Sequence, residues 1–158
     1  MVALTRRLVH ALRHNDRGSE LVELAIALPL LLIIIAGIID FGFLFEKYEV
    51  VTNAAREGAR MAVLGGYTCD STTSSDVYKR VHDYLQSSGL TDTPTVTCTN
   101  NTPETLPSGL TVTLATVTVS YPASFLFLGQ FAGLVRGTGP AGFNLTAVST
   151  MRVEAAGS

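Results

Sequence analysis

An acidic residue at the edge of a long apolar run is the first feature of this sequence that could carry chemistry. Glu23 directly precedes the run Leu24–Ile39, and the small residue Gly18 lies five positions before it. A carboxylate at the centre of a membrane helix costs about 2.5–3.5 kcal/mol, and less near the interface. Glu23 therefore has two interpretations: it reaches water at the membrane surface, or it binds a cationic partner.

The two cysteines form a second candidate pair. Cys69 and Cys98 both follow the apolar run, in the part of the chain that we predict to be exported. An oxidising compartment would join them, and a bridge closing about 30 residues would stabilise the fold by about 3–4 kcal/mol in the chain-entropy model. The alternative is two unpaired, buried thiols. We expect the disulfide, which would tie the segment after the first helix to the first strand.

The remaining residues with catalytic or ligating chemistry predict no metal site and no active site. His10 and His14 lie in the basic N-terminal segment, whereas His82 and Asp83 form an exposed pair on a predicted helix. The sequence contains no nucleophile elbow, phosphate-binding loop or zinc-protease motif. We therefore expect no catalytic residue, no metal and no cofactor, and an anchored enzyme is the least favoured class.

Charge is distributed unevenly along the chain. The 158 residues are 47% hydrophobic and only 15% charged, with a net charge of −2. Residues 1–18 contain four arginines and one aspartate, whereas the remainder is acidic. The chain as a whole has no basic field for nucleic acid, and its length excludes a large multidomain enzyme. The low charge content, against roughly 25% in ordinary domains, favours contact with lipid.

The apolar run is long enough to span a membrane as a helix. Leu24–Ile39 covers about 24 Å, and the longer segment to Phe45, which includes Asp40, covers about 33 Å, against a hydrocarbon core of about 30 Å. Arginines before the run predict a cytoplasmic N-terminus. A cleaved signal peptide fits poorly because no small-residue cleavage site follows, and a buried soluble helix fits poorly because every face is apolar. Pro29 predicts a helix kink.

Beyond the run, the sequence pattern predicts a small α+β domain. The long helix continues to about Leu64, and a second helix occupies about Ser75–Ser88 with Val77, Val81, Tyr84 and Leu85 on its buried face. Alternating, threonine-rich segments then predict a roughly three-stranded antiparallel sheet. The expected details are strands near 95–99, 110–121 and 143–153, a loop over 100–109, a bulge near 114 and 115, a strand end at Pro122, and a helical turn over 125–128.

The segment Arg17–Val63 resembles the TadE-like pseudopilins of the tight-adherence (Tad, or Flp) pilus machinery. The features that carry the resemblance are Gly18 and Glu23 before an apolar helix, Pro29, Asp40-Phe41-Gly42, and the string NAAREGAR over Asn53–Arg60. The closing strand Leu145–Glu154 is also similar to the family's C-terminal end. Leu24 departs from the tyrosine that major Flp pilins usually carry there, which together with the added domain favours a minor pseudopilin.

The resemblance implies that a prepilin peptidase cuts between Gly18 and Ser19 on the cytoplasmic side. Cleavage would free an ammonium group at Ser19, and in pilin-like filaments the carboxylate matching Glu23 meets the N-terminus of a neighbouring subunit. An unpaired charge in such a low-dielectric setting is costly, so the pair would select the register of assembly. The implied partners are the peptidase, other pilins or pseudopilins, the Tad assembly platform and the lipid bilayer, without nucleic acid.

We therefore expect a pseudopilin of the bacterial cytoplasmic membrane that takes part in building adhesion and biofilm pili and can itself enter the extracellular pilus. Its parts would be a basic cytoplasmic leader (1–18), a transmembrane helix (19–45) and an exported α+β domain (46–158). The alternative is a permanent single-pass anchor whose domain binds a ligand or partner in the periplasm or at the cell exterior.

Overall fold

The computed structural model describes residues 16–64, 66–130, 133, 137 and 142–153 and has an α+β fold. Its elements are helices α1 (Asp16–Ala62) and α2 (Asp76–Ser87) and strands β1 (Thr95–Thr105), β2 (Thr111–Ala123) and β3 (Phe143–Arg152). The strands of the described residues form one antiparallel sheet in the order β1-β2-β3. The predicted fold class, with a long first helix, a second helix and an antiparallel sheet, is confirmed.

The chain packs as two compact units, Met1–Ile39 and Asp40–Ser158. We call residues 18–39 the stem and the described residues from 40 onward the domain. Side chains of the stem are largely exposed, as in Leu21 (67%) and Ile26 (72%). In the described part of the chain, α1 is the one helix apolar and long enough to cross a membrane, with a mean hydropathy of 2.8 over its most apolar window, 6% of which is buried. Such exposure disfavours the interpretation of the stem as a core helix.

The core of the domain forms where α1 carries small residues. Ala54, Ala55 and Ala59 are fully buried on one face of the helix. They belong to one core cluster together with residues from α2 and alternate residues of β2, namely Val77, Val81, Leu85, Val117, Val119 and Tyr121. Small side chains let the backbone of α1 approach both neighbours closely.

Gly58 lies at one of these close approaches. A Cβ atom built on Gly58 would lie 2.7 Å from Cγ2 of Val81 and 3.2 Å from Cγ1 of Val117. A contact of 2.7 Å is far below the optimal carbon–carbon separation of about 3.5–4.0 Å, so Val81 would have to move to admit a Cβ atom. Glycine therefore allows α1 to approach α2 and β2 at this position without displacing their side chains.

Helix α2 lies within one residue of its predicted bounds. Ser75 is the N-cap, and its hydroxyl accepts a hydrogen bond from the N–H of Tyr78 at 3.1 Å. Val77, Val81 and Leu85 are buried as predicted. Tyr84 is partly buried and packs against the edge of the core, so it lies on the predicted face but is less buried than the other three residues. Gly89 follows the helix with φ of +84°, a conformation that glycine adopts without a Cβ penalty.

Strand β1 extends through most of the segment that we predicted as a loop, so that prediction was wrong. Its pairing with β2 runs from Thr95 opposite Ser120 to Thr105 opposite Thr111 and includes Pro103. Proline removes a backbone donor, but among the strands that the structure describes β1 pairs with β2 alone, and such edge strands tolerate proline. The true turn is short and spans residues 106–110, where the N–H of Leu106 donates to the carbonyl of Leu110 at 2.9 Å.

A bulge occurs next to the predicted position in β2, but the extra residue lies in the neighbouring strand β1. The register shifts between Thr99 and Thr102, so two residues of β1 face one residue of β2, Ala115. An extra residue in the partner strand disrupts the ladder locally, and here it accompanies the change in phase of the buried residues of β2.

Two further local predictions were wrong. Strand β2 continues past Pro122 to Ala123, which pairs with Phe143 of β3. Pairing with β1 has already stopped at Ser120, so β3 is the one described strand that pairs with Pro122, and the missing donor is tolerated. The helical turn expected over 125–128 begins at Leu128 instead.

Candidate functional site

The predicted processing residues lie in the first turns of α1. Gly18 is half-buried, Ser19 and Glu23 are exposed, and a Cβ built on Gly18 would have no other atom within 4 Å. Gly18 and Glu23 are about 140° apart around a helix of 3.6 residues per turn, whereas Ser19 and Glu23 are one turn apart on the same face. The structure thus brings Ser19 and Glu23 together on one face. Residues 1–15, with His10, His14 and most of the predicted leader, lie outside the described residues.

The carboxylate of Glu23 is exposed. The ion pairs and hydrogen bonds between described side chains do not include Glu23. Pro29, six residues further on, lies inside α1, with helical residues on both sides. Because proline has no N–H, the carbonyl of Ala25 lacks its usual helical donor. The kink itself stays a prediction.

The string Asn53–Arg60 has a structural role in the domain. Its alanines and glycine pack into the core, while its charged residues lie at the surface of α1. Glu57 binds Arg80 of α2: its Oε1 accepts from Nη2 at 2.6 Å and from Nε at 3.1 Å. The string therefore joins α1 to α2 by close packing and by one ion pair at the rim.

The structure pairs Cys69 with Cys98, with their Cα atoms 5.4 Å apart. Cys98 is a buried residue of β1, and Cys69 lies in the segment between α1 and α2. The bridge ties that segment to the first strand, which is the connection that the sequence predicts.

Hydrogen bonds hold the same segment next to the disulfide. The N–H and the hydroxyl of Thr68 each donate to Oδ2 of Asp76 at 2.9 Å, and the N–H of Asp76 donates to Oγ1 of Thr68 at 2.9 Å. The two bonds from Thr68 hold the pKa of Asp76 below its usual value. The hydroxyl and the N–H of Thr72 lower the pKa of Asp70 in the same way.

Sequence reasoning missed the role of Asp40, which it treated as an interruption of the apolar run. Asp40 is 1% exposed. Its Oδ1 accepts from the N–H groups of Leu126 and Phe127, both at 3.0 Å, and its Oδ2 accepts from Phe127 at 3.0 Å and Leu128 at 2.7 Å. A buried carboxylate needs such donors. The lone acid within an apolar helix was the available signal, because such acids are usually paired.

An apolar groove lies beside Asp40 on the domain, with a volume of about 640 Å³. Phe41 and Phe45 of α1 form one wall, and Phe125 and Phe143 form the other. The ring of Phe125 lies 6.1 Å from that of Phe41 and 5.2 Å from that of Phe143, between centroids. Aromatic contacts thus support the segment whose backbone Asp40 holds.

Comparison with known protein families finds a match for most of α1. Residues 18–60 match the family model for TadE-like protein. The resemblance that the sequence indicates is therefore confirmed over this segment, and it associates the chain with the Tad pilus system. No curated protein and no solved structure matches the chain significantly.

The TadE-like segment includes nearly all residues that carried the resemblance. Gly18, Glu23, Pro29, Asp40 and the string Asn53–Arg60 all lie within it. The disulfide, α2 and the whole sheet follow it. The family match thus covers the stem and the part of α1 that packs into the domain.

Proposed function

We propose that this chain is a pseudopilin, or minor pilin, that a prepilin peptidase processes and that takes part in assembling Tad/Flp-type surface pili for adhesion and biofilm formation. One observation supports the proposal most: the exposed apolar stem has Gly18 and Glu23 in its first turns and lies within the TadE-like segment. The protein has no catalysis of its own. Its partners are the peptidase, other pilins or pseudopilins, the assembly platform and the lipid bilayer, and it binds no nucleic acid.

Before assembly the stem crosses the cytoplasmic membrane, with the N-terminus inside and most of the domain outside. The arginines of residues 1–18 support this orientation, because basic residues near a span resist translocation. The disulfide between Cys69 and Cys98 supports an oxidising location for the domain. Lipid covers the exposed aliphatic side chains of the stem first, and neighbouring helices cover them in the pilus.

Cleavage between Gly18 and Ser19 prepares the helix for assembly. It removes the basic residues that hold the N-terminus in the cytoplasm and creates an ammonium group one helical turn from Glu23. The exposed Glu23 then pairs with the ammonium of a neighbouring subunit. In hydrocarbon, leaving either charge unpaired is costly, so subunits are accepted in the register that pairs them.

Mass spectrometry of the mature protein tests processing directly. We expect an N-terminus at Ser19, and Gly18→Val should block cleavage because the peptidase requires a small residue at the cut. Gly42→Val is the matched control, since Gly42 is another glycine of α1 with open space around its Cβ position. Working protein that keeps residues 1–18 would instead favour the permanent single-pass anchor with a ligand-binding domain.

Sheared, purified pili test the role of Glu23. Glu23→Val should be cleaved normally but depleted from pili, because its neighbour's ammonium then has no partner. Glu20→Val provides the control, since it removes another exposed carboxylate three residues away on the same helix. Equal amounts of the Glu23→Val and Glu20→Val proteins in pili would contradict the pairing mechanism.

A further inference from the structure

The position of Asp40 along α1 defines a depth in the membrane. Asp40 lies sixteen residues after Leu24, the first residue of the uncharged run. Sixteen residues of helix advance about 24 Å, whereas the hydrocarbon core is about 30 Å thick. If the run enters hydrocarbon at Leu24, Asp40 lies inside the outer leaflet, at the side of the exported domain. A carboxylate at that depth has no water to bind.

The structure supplies the missing donors from a segment far away in sequence. Three successive N–H groups, of Leu126, Phe127 and Leu128, surround the carboxylate of Asp40 and leave it 1% exposed. We call residues 124–130 the clasp loop. Because its backbone binds Asp40 at 2.7–3.0 Å, the clasp loop must lie at the same depth as Asp40.

The side chains of the clasp loop suit hydrocarbon and not water. The loop contains no charged residue. Leu126 and Phe127 are exposed over 57% and 41% of their surface, and Phe41 of α1, whose ring lies 6.1 Å from that of Phe125 in the loop, is 64% exposed. Exposed apolar surface costs about 25 cal/mol per Å² in water, so a group of three large apolar side chains calls for an apolar partner.

We propose that the clasp loop dips into the outer leaflet of the membrane beside α1, held there by Asp40, with Leu126 and Phe127 in contact with lipid acyl chains. The inference rests on the proposed membrane insertion of the stem. Lipid is the occupant that the depth of Asp40 selects, because a loop bound to this carboxylate meets the bilayer before any other molecule. Asp40 acts as a positioning residue. Its carboxylate accepts hydrogen bonds from the N–H groups of the loop, and these bonds keep its charge out of contact with lipid.

Tryptophan fluorescence can measure the depth, because the sequence contains no tryptophan. Full-length Leu126→Trp protein is placed in phosphatidylcholine vesicles whose acyl chains carry bromine either near the headgroup or near the bilayer centre. We expect blue-shifted emission and loss of most of the intensity with shallow bromine, and a smaller loss with deep bromine.

Two matched variants separate this inference from the proposed function. Leu32→Trp reports on the stem, where Leu32 is 51% exposed, and should be quenched most by deep bromine. Val148→Trp reports on an exposed residue of β3 and should not be quenched. Quenching at position 32 without quenching at 126 would overturn the clasp-loop proposal and leave the anchor intact. Absence of quenching at position 32 would overturn both.

The same fluorescence measurement distinguishes lipid from a second copy of the chain as the partner of the clasp loop. Blue-shifted emission from Leu126→Trp protein that bromine does not quench, and that shifts to longer wavelength on dilution, would assign the surface to a second copy and overturn the lipid proposal.

Asp40→Asn added to Leu126→Trp should reduce shallow quenching at least severalfold, because the amide cannot accept all the loop's hydrogen bonds. The Cys69–Cys98 bridge, detected by mass, verifies folding of this variant. Unchanged quenching would overturn the positioning role of Asp40.

Discussion

The two halves of α1 belong to one helix but use opposite side-chain chemistry. The stem carries large aliphatic residues that are exposed around the helix, such as Ile26 at 72%. The half within the domain carries small residues on one buried face, such as Ala55 and Ala59, both 0% exposed. Large side chains on every face suit lipid, whereas small residues on one face let a second helix and a sheet approach closely. Residue size along the helix thus separates the lipid-facing part from the packing part.

Removing the disulfide should give the largest difference between the domain and the stem. Cys69→Ser/Cys98→Ser should lower the free energy of unfolding of the domain by about 3–4 kcal/mol, because the unfolded chain gains loop entropy. The helical circular dichroism of the stem in detergent micelles should persist, since the bridge lies wholly within the domain. Urea unfolding of the full-length protein, followed by tyrosine circular dichroism, measures the effect. An unchanged midpoint would contradict the stabilising role.

Substitution of two glycines of α1 should give effects of opposite sign. Gly58→Ala should destabilise the domain by about 1–3 kcal/mol, since its Cβ would overlap Val81 and force the core apart. Gly42→Ala has open space and should be neutral or stabilising by up to about 1 kcal/mol through helix propensity. Urea midpoints of both full-length variants test the pair, and equal shifts would contradict the assignment of the close approach to Gly58 and of open space to Gly42.

The ion pair at the rim should matter much less than the close packing. Glu57→Gln should cost about 0–1 kcal/mol, because Arg80 is half exposed and solvent screens the pair. Glu49→Gln removes an exposed carboxylate of the same helix and should have no effect. Measurements at low and high salt sharpen the test: the difference between the variants should shrink as salt increases.

Acid should weaken the domain through Asp70 and Asp76, with a modest effect because both lie near the surface. Their pKa values are lower in the folded protein than in the unfolded chain. Their contribution is therefore complete above the ordinary aspartate pKa of about 3.9 and is lost as the pH falls through the lowered values. Urea titrations between neutral and acidic pH should show less acid loss for Asp76→Asn than for the native protein. A steeper loss in the variant would reverse the assigned sign.

Local pattern predicted most of the fold because it reflects forces between near neighbours. The charge-free run predicted the stem, and the cap at Ser75 with the spacing of Val77, Val81 and Leu85 predicted α2. The predictions failed where partners decide the outcome. Pro103 was assigned to a loop and Pro122 to a strand end, but each lies in a strand at a point where one described neighbour pairs with it, and a lost donor is tolerated there.

The residues of the candidate site also fall into those that the sequence predicted and those that only the fold revealed. Gly18, Ser19, Glu23 and the pairing of Cys69 with Cys98 were accessible from residue type and spacing. The role of Asp40 was not, because a carboxylate in an apolar helix indicates the need for a partner without naming it. Gly58 likewise looked like one of several small residues until α2 and β2 were seen on either side.

The sequence by itself determined where the long helix runs, which part of it is lipid-like and which cysteines can pair, because periodicity, charge and cysteine number are properties of the chain. Only the tertiary structure decided what surrounds Asp40. Its donors lie 86–88 residues away, and a hydrogen bond between such distant groups exists only after α1 and the sheet have packed. Local patterns report local forces, whereas a buried charge is satisfied by whichever backbone the complete fold brings to it.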